Sequence, residues 1–182
     1  MKKLALTSMF IGVFALSTFA QVNQRRENQQ DRIAQGVKSG QLTAGETANL
    51  ENKERALNGE ISADRKADGG KLTAAEKQQI NRQQNGLSKQ IYTDKHNAAK
   101  DNFGNSEVGR RQENQQDRIA QGIKSGSLKA GQTANLENRE AALNHEVNAD
   151  RKYDNGHLTQ AERKQVNRQQ NQLSRSIYRA KH

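Results

Sequence analysis

The sequence of 182 residues contains no cysteine, no proline and no tryptophan, and aromatic residues make up only 4% of it. Without cysteine, the chain can form no disulfide bonds and none of the cysteine-containing zinc sites. Because aromatic side chains are scarce, the sequence lacks the stacking residues with which proteins recognise nucleic acid bases. Folding must therefore depend on buried aliphatic side chains. These are also few, so each folding unit is expected to have a narrow core.

The chain consists largely of one unit written twice. Residues 25–96 recur as residues 111–182 with a constant offset of 86 and no insertion; 22 of the 72 aligned positions differ and 50 are identical. A constant offset indicates two copies of one folding unit, here named the first repeat (25–96) and the second repeat (111–182). The segment between them, 97–110, is rich in Gly, Asn and Ser and has no apolar stripe, so it is predicted to be a flexible linker.

Large aliphatic residues recur at helical spacing within each repeat. In the first repeat they form two trios at intervals of seven and four positions: Leu50, Leu57 and Ile61, then Ile80, Leu87 and Ile91. These intervals place each trio on one helical face, and no strand-like alternation is visible. With a Gly-rich turn at Gly69-Gly70 between them, the trios predict an antiparallel helical hairpin. Helices are expected over residues 29–38, 44–66 and 73–95, so the fold class is all-α: two tandem three-helix units joined by a flexible linker.

The first 20 residues have the pattern of a secretory signal peptide. Lys2 and Lys3 precede an apolar stretch, and small residues occupy the last and third-last positions before Gln21. The apolar run is shorter than the roughly 20 residues that span a bilayer. We therefore expect a mature chain that begins near Gln21, has no transmembrane segment, and is periplasmic or secreted.

The formal net charge is +10, and both repeats are basic. A surplus of this kind favours polyanionic partners such as an envelope surface. The strongest concentration follows Glu162 in the second repeat, where no acidic residue opposes six basic ones: Arg163, Lys164, Arg168, Arg175, Arg179 and Lys181. This helix is a candidate polyanion site, although no motif for sequence-specific nucleic acid binding is present. The alternative is an ordinary solvated helix face.

Both turns of the first repeat carry the pattern Gly-x-Leu-Thr-x-x-Glu, first at 40–46 and again at 70–76. The pattern resembles the second half of an EF-hand calcium loop, in which glycine makes a sharp turn and the final glutamate binds the ion through both oxygens. The resemblance implies EF-hand-like helical hairpins and calcium as the ligand. An alternative explains the same residues without a metal: each Thr and Glu forms a capping box that begins the next helix.

The first half of each loop departs from the EF-hand pattern. The first turn lacks acidic residues at the early loop positions, and in the second repeat Lys129 and Gln132 replace Thr43 and Glu46. We therefore do not expect the first turn to bind calcium. The second turn keeps three carboxylates in both repeats, and these form the candidate metal site: Asp64, Asp68 and Glu76, with Asp150, Asp154 and Glu162.

No arrangement of residues in the sequence favours catalysis. The serines have no partner histidine at a meaningful spacing, and the histidines do not follow a zinc-binding pattern. A narrow core also makes a dry, walled pocket difficult to build. The sequence thus predicts a non-catalytic, exported binding protein with no certain cofactor. Three hypotheses remain: a weak divalent-cation binder, a binder of polyanions, or a structural protein whose narrow cores associate between repeats or between chains.

Overall fold

A computed structural model describes residues 14–182, with side chains from Ala20 onward; the predicted signal peptide therefore lies mainly outside the described residues. The described residues are all-α and contain no strand. The helices are α1 (Phe14–Lys38), α2 (Ala44–Ala67), α3 (Ala74–His96), α4 (Glu107–Ser125), α5 (Ala130–Tyr153) and α6 (Gln160–Lys181). None of the described helices is long and apolar enough to cross a membrane.

The predicted capping boxes are present at the starts of α2, α3 and α6. At the start of α2, the Thr43 side chain accepts a hydrogen bond from the Glu46 N–H, and the Glu46 carboxylate accepts one from the Thr43 N–H at 2.9 Å. Two boundaries differ from the sequence prediction, because α1 and α4 both begin earlier than the predicted first helix of each repeat. Val22 and its equivalent Val108 explain the extension, since both are buried against the later helices of their repeats.

The two repeats share one central core. α1 packs against α4, and α2 packs against α5. Every residue in this core has its counterpart there from the other repeat: Ile33 and Ile119, Ala34 and Ala120, Val37 and Ile123, Leu42 and Leu128, Leu50 and Leu136, Leu87 and Leu173, Ile91 and Ile177. The predicted apolar trios are buried, as expected. The narrow core of one repeat is thus completed by the other repeat in the same chain.

Helices of different repeats pack in opposite directions. Leu50 of α2 and Leu136 of α5 lie together in the central core. Arg55 follows Leu50 along α2, whereas Gly131 precedes Leu136 along α5. A Cβ on Gly131 would lie 2.9 Å from the Arg55 side chain. α2 and α5 therefore run antiparallel, and an approximate two-fold axis relating the repeats passes near the two leucines.

The segment between α3 and α4 is packed against the first repeat. The Asp101 N–H donates to the Gly40 carbonyl at 3.1 Å, and the Asp101 carboxylate accepts from the Ala44 N–H at 3.1 Å. Its composition predicts a flexible linker, but Asp101 supplies an acceptor for a backbone donor at the start of α2. The segment therefore covers the turn between α1 and α2 of the first repeat.

Candidate functional sites

The three carboxylates of the candidate metal site lie close together at the turn between α2 and α3. A hydrogen bond with Glu76 and the charge of that residue raise the pKa of Asp68. The pKa of Glu76 is lowered, because its carboxylate accepts hydrogen bonds from the backbone N–H and side chain of Thr73. The turn therefore presents mutually repelling carboxylates to solvent, with one of them already engaged in a capping box.

The turn between α5 and α6 repeats this arrangement. Partial desolvation and then the charge of Glu162 raise the pKa of both Asp150 and Asp154. The Glu162 carboxylate accepts the Thr159 N–H at 2.7 Å, as Glu76 accepts that of Thr73. Among the described residues, however, no group of three or more His, Cys, Asp or Glu side chains is arranged to hold a metal ion. Calcium binding at these turns stays a prediction.

Four of the six basic residues predicted on α6 form one exposed stripe. Lys164, Arg168, Arg175 and Arg179 follow one another at intervals of four, seven and four positions, which places them on the same helical face. All four are exposed, and the stripe is about 22 Å long at the helical rise per residue.

The other two basic residues of this set have different positions. The exposed Arg163 donates from Nε to the Leu158 carbonyl at 3.0 Å, and the half-buried Lys181 donates from Nζ to the Arg118 carbonyl at 3.2 Å. The structure therefore separates a four-residue basic stripe from two residues that also bind the protein's own backbone.

A third candidate is absent from the sequence prediction: four glutamates lie buried where α2 packs against α5. They are named the glutamate seam and consist of Glu51 and Glu54 on α2, with their equivalents Glu137 and Glu140 on α5, each with no exposed surface. Buried carboxylates are rare unless paired, because removing the charged form from water is costly.

Hydrogen bonding satisfies the glutamate seam only in part. Gln30 donates to one oxygen of Glu51 at 3.3 Å, and the equivalent Gln116 donates to Glu137 at 2.9 Å. The remaining oxygens of these two residues and both oxygens of Glu140 have no hydrogen-bond partner, and Glu54 has only a weaker interaction with Gln30. The seam therefore contains carboxyl groups whose stable form at this site is the protonated one.

The pKa values of the seam are shifted in the direction that burial predicts. Burial raises the pKa of Glu51 to about 8 and that of Glu140 to about 8. Burial raises the pKa of Glu54 to about 7, with the charge of Arg26 acting in the opposite direction. The pKa of Glu137 is raised well above its ordinary value, again by burial. At neutral pH most of these carboxyls remain protonated, so they are proton-binding groups inside the repeat interface.

A signal for the seam exists in the sequence. Glu54 lies four positions after Leu50 and three before Leu57, so it belongs to the same helical face as the apolar residues. Gln84 occupies the corresponding place in α3 between Ile80 and Leu87, and its amide donates to the buried Val22 carbonyl at 3.1 Å. In this chain, a polar residue that lies on the same helical face as the apolar residues is therefore expected to be buried.

The described residues thus present three features: the carboxylate turns, the basic stripe of α6 and the buried glutamate seam. No protein-family model matches the chain, and neither does any curated protein or any solved structure.

Proposed function

We propose that this protein is an exported, non-catalytic binding protein that attaches to polyanionic surfaces through the basic stripe of α6. One observation supports this function best: the four cations of the stripe are exposed on a single face, and no acidic residue follows Glu162 in that helix. A linear array of exposed cations suits a polymer or surface that carries many anionic groups, such as phosphates. Attraction of this kind releases bound counterions and falls steeply with salt.

The first repeat provides a matched control for this proposal. In α3 the equivalents of Lys164 and Arg179 are Gln78 and Thr93, so the corresponding stripe has two cations instead of four. Replacing Lys164 and Arg179 by the residues of α3 therefore removes two charges from exposed positions. The substituted side chains already occur at the equivalent positions of the first repeat, so the helix should tolerate them.

The test measures binding of the full chain to heparin and to vesicles containing anionic lipid over a series of salt concentrations. We expect the K164Q/R179T variant to bind about tenfold more weakly than the parent, with a shallower salt dependence. The reciprocal Q78K/T93R variant should bind more tightly. Unchanged affinity in both variants, with circular dichroism confirming intact helices, would contradict the proposal.

A second candidate function is weak binding of a divalent cation at the two turns that carry three carboxylates. The supporting observation concerns the pKa of two aspartates: partial desolvation and then the charge of Glu76 raise that of Asp64, and a hydrogen bond with Glu76 and then its charge raise that of Asp68. A bound cation would relieve this repulsion, because it favours the charged form of every ligand. The exposed position of the turn predicts a low affinity.

Thermal unfolding with calcium and then with excess chelator tests this second function. Calcium should raise the midpoint of the parent protein but not that of an E76Q/E162Q variant. Glutamine retains the capping box, as Gln132 does at the start of α5. E46Q provides the control, since it makes the same substitution at a capping position outside the carboxylate turn. A midpoint independent of calcium in the parent protein would reject this function.

The shared central core supports an intramolecular form of the third hypothesis from the sequence, association between repeats. The central core already combines both repeats, and the large hydrophobic side chains that remain exposed among the described residues are Tyr92, Tyr153 and Tyr178. We therefore treat self-association between chains as subordinate to binding at the basic stripe.

A further inference from the structure

Two equivalent grooves flank the repeat interface, and only one of them is covered by the chain. The first, named the open groove, is a cleft of about 650 Å³ between α1 and α2 of the first repeat and the turn joining α4 to α5. The second, named the covered groove, is its equivalent: residues 100–103 line a cavity with α4 and α5 there, and Asp101 is hydrogen-bonded to Gly40 and Ala44 where α1 joins α2. The segment that connects the repeats runs through the covered groove.

Most residues of a cavity beside the open groove have their equivalents beside the covered groove. A smaller cavity of about 200 Å³ adjoins the open groove, and both are lined by Arg26 and Asn58. Five residues that line this smaller cavity have equivalents that line a cavity in the second repeat: Gln112, Asn144, Val147, Asn148 and Arg151. That second cavity is also lined by four residues of the connecting segment: Lys100, Asp101, Asn102 and Phe103. The connecting segment therefore shows how an extended chain fits a groove of this type.

Asp101 is the residue that anchors the segment in the covered groove. Its carboxylate accepts the Ala44 N–H at the start of α2, and its own N–H donates to the Gly40 carbonyl. Its side chain lies near Glu140, whose pKa is raised in part by the charge of Asp101. Burial raises the pKa of Asp101 to about 6, and the hydrogen bond from the Ala44 N–H acts in the opposite direction, so the carboxylate form is held at neutral pH by the start of α2.

The equivalent positions in the open groove are less covered, although the Arg55 side chain lies against Gly131 in the first turn of α5. Ala44 is 2% exposed, whereas its equivalent Ala130 at the start of α5 is half-buried. A Cβ added to Gly40 would lie 3.0 Å from the Asp101 carbonyl oxygen, whereas a Cβ on the equivalent Gly126 would meet nothing within 4 Å. The anchoring site for an acidic residue is therefore repeated here without an occupant from the described chain.

The open groove is also more basic than the covered one. Arg26 and Arg55 line it, where the covered groove has Gln112 and Ala141 at the equivalent positions. Lys129 replaces the capping threonine at the start of α5, and the first turn of that helix contains no acidic residue. Glu27 and Asp31 also line the open groove, and their equivalents in the second repeat are the acidic residues Glu113 and Asp117.

We propose that the open groove binds an extended peptide whose acidic side chain takes the position, at the N-terminus of α5, that Asp101 takes at the N-terminus of α2. The fit rests on three observations: the occupied equivalent groove, the greater exposure of the start of α5 than of α2, and the two additional arginines. The expected partner is a segment of another protein in which an aspartate or glutamate lies two residues before a large apolar side chain, as Asp101 precedes Phe103.

A synthetic peptide with the sequence of residues 97–105, capped at both ends, is the probe for this groove. It is titrated into the full chain and followed by calorimetry and by amide chemical shifts. We expect shifts in α1 and at the start of α5, and binding at least fivefold weaker for a peptide with asparagine in place of the aspartate, because the charge-assisted hydrogen bond is lost.

Matched protein variants assign the binding to the open groove. R26Q/R55A installs the residues of the covered groove and should weaken peptide binding by about fivefold or more, whereas K164Q/R179T, which removes two charges from the α6 stripe, should leave it unchanged. Equal binding of the two peptides, no binding at millimolar peptide, or shifts confined to α6 would each overturn the proposal. Because the two pairs of variants act on different surfaces, failure here is distinguishable from failure of the polyanion function.

Discussion

The two repeats have nearly the same interior and different exteriors. Their contributions to the central core match residue for residue, with Val37 and Ile123 as the only chemical difference among the paired positions. Outside the core, the first repeat has an open, basic groove and a third helix of mixed charge. The second repeat has a covered groove and a third helix with a continuous basic stripe. Packing therefore constrains the sequence on one side of each helix, and the solvent-facing side is free to change.

The connection between the repeats accounts for part of this difference. Two antiparallel copies related by a two-fold axis produce two equivalent grooves, but one connecting segment can occupy only one of them. The segment anchored by Asp101 covers the groove of the second repeat, and the first repeat keeps its groove exposed. A chain with duplicated units thus acquires two different surfaces without any change in the packing of its core.

The largest expected effect tests the equivalence of the two interiors. Leu50 and Leu136 are both almost completely buried at the centre of the repeat interface. We expect L50A and L136A each to lower the free energy of unfolding by about 2–5 kcal/mol, because each leaves a cavity among packed side chains. Chemical denaturation should give similar values for the two variants.

The double variant sharpens this comparison. Since the two leucines belong to one core, L50A/L136A should deviate from the sum of the single effects, as expected for residues that share a cavity. Additive effects, or a large loss in only one of the single variants, would mean that the repeats fold as independent units.

The next effect concerns the glutamate seam, where both repeats contribute acidic groups. The pKa values of Glu51 and Glu140 in the folded protein are about 8, above their values in the unfolded chain. Folding therefore takes up protons, and this contribution to stability is complete below about pH 4.5 and is lost as the pH rises to about 8. We expect a decrease on the order of 1 kcal/mol per pH unit for each such carboxyl.

Groups with the opposite shift limit stability at the acidic end. The pKa values of Glu76 and Glu162 are lowered in the folded protein, so their contribution is present above about pH 4.5 and is lost as the pH falls. Maximal stability is thus expected near pH 5. An E51Q/E137Q variant should flatten the decrease between pH 5 and 8 in denaturation experiments, whereas the exposed pair E27Q/E113Q should leave it unchanged. A profile that is flat in the parent protein would contradict the protonated seam.

The smallest expected effect compares the starts of α2 and α5. The Thr43 side-chain oxygen accepts a hydrogen bond from the Glu46 N–H. Lys129 has no side-chain oxygen, so the start of α5 keeps only the second hydrogen bond of a capping box, from the Lys129 N–H to the Gln132 side chain. We expect T43K to lower the free energy of unfolding by about 1 kcal/mol and K129T to raise it by about 1 kcal/mol. Thermal unfolding of the two variants should shift in opposite directions; shifts of the same sign would show that the lysine is engaged elsewhere.

The sequence predicts the helices well because apolar spacing and capping residues are local signals. The trio Leu50, Leu57 and Ile61 is buried as expected, and the capping box at Thr73 begins α3. The earlier starts of α1 and α4 do not follow from the pattern, because Val22 and Val108 are isolated apolar residues among polar ones. Their burial depends on contacts with distant helices, which periodicity does not reveal.

The sites are less predictable than the helices. The sequence does not show whether the side chain of Glu54 or Glu137 is exposed to solvent or buried. Only the packing of α2 on α5 shows that both are buried. The same packing creates the open groove. By contrast, the stripe of α6 follows directly from the spacing of its cations, so the sequence alone is sufficient to locate it.

The placement of equivalent residues against each other in the central core has a consequence for assembly. A single unit of this type presents a face that is complementary to its own copy, so alone it would complete its core by pairing with a second molecule, at a rate and extent set by concentration. Joining two units by a short connection fixes their effective concentration in the millimolar range. The pairing of the two units in the fused chain is therefore independent of protein concentration.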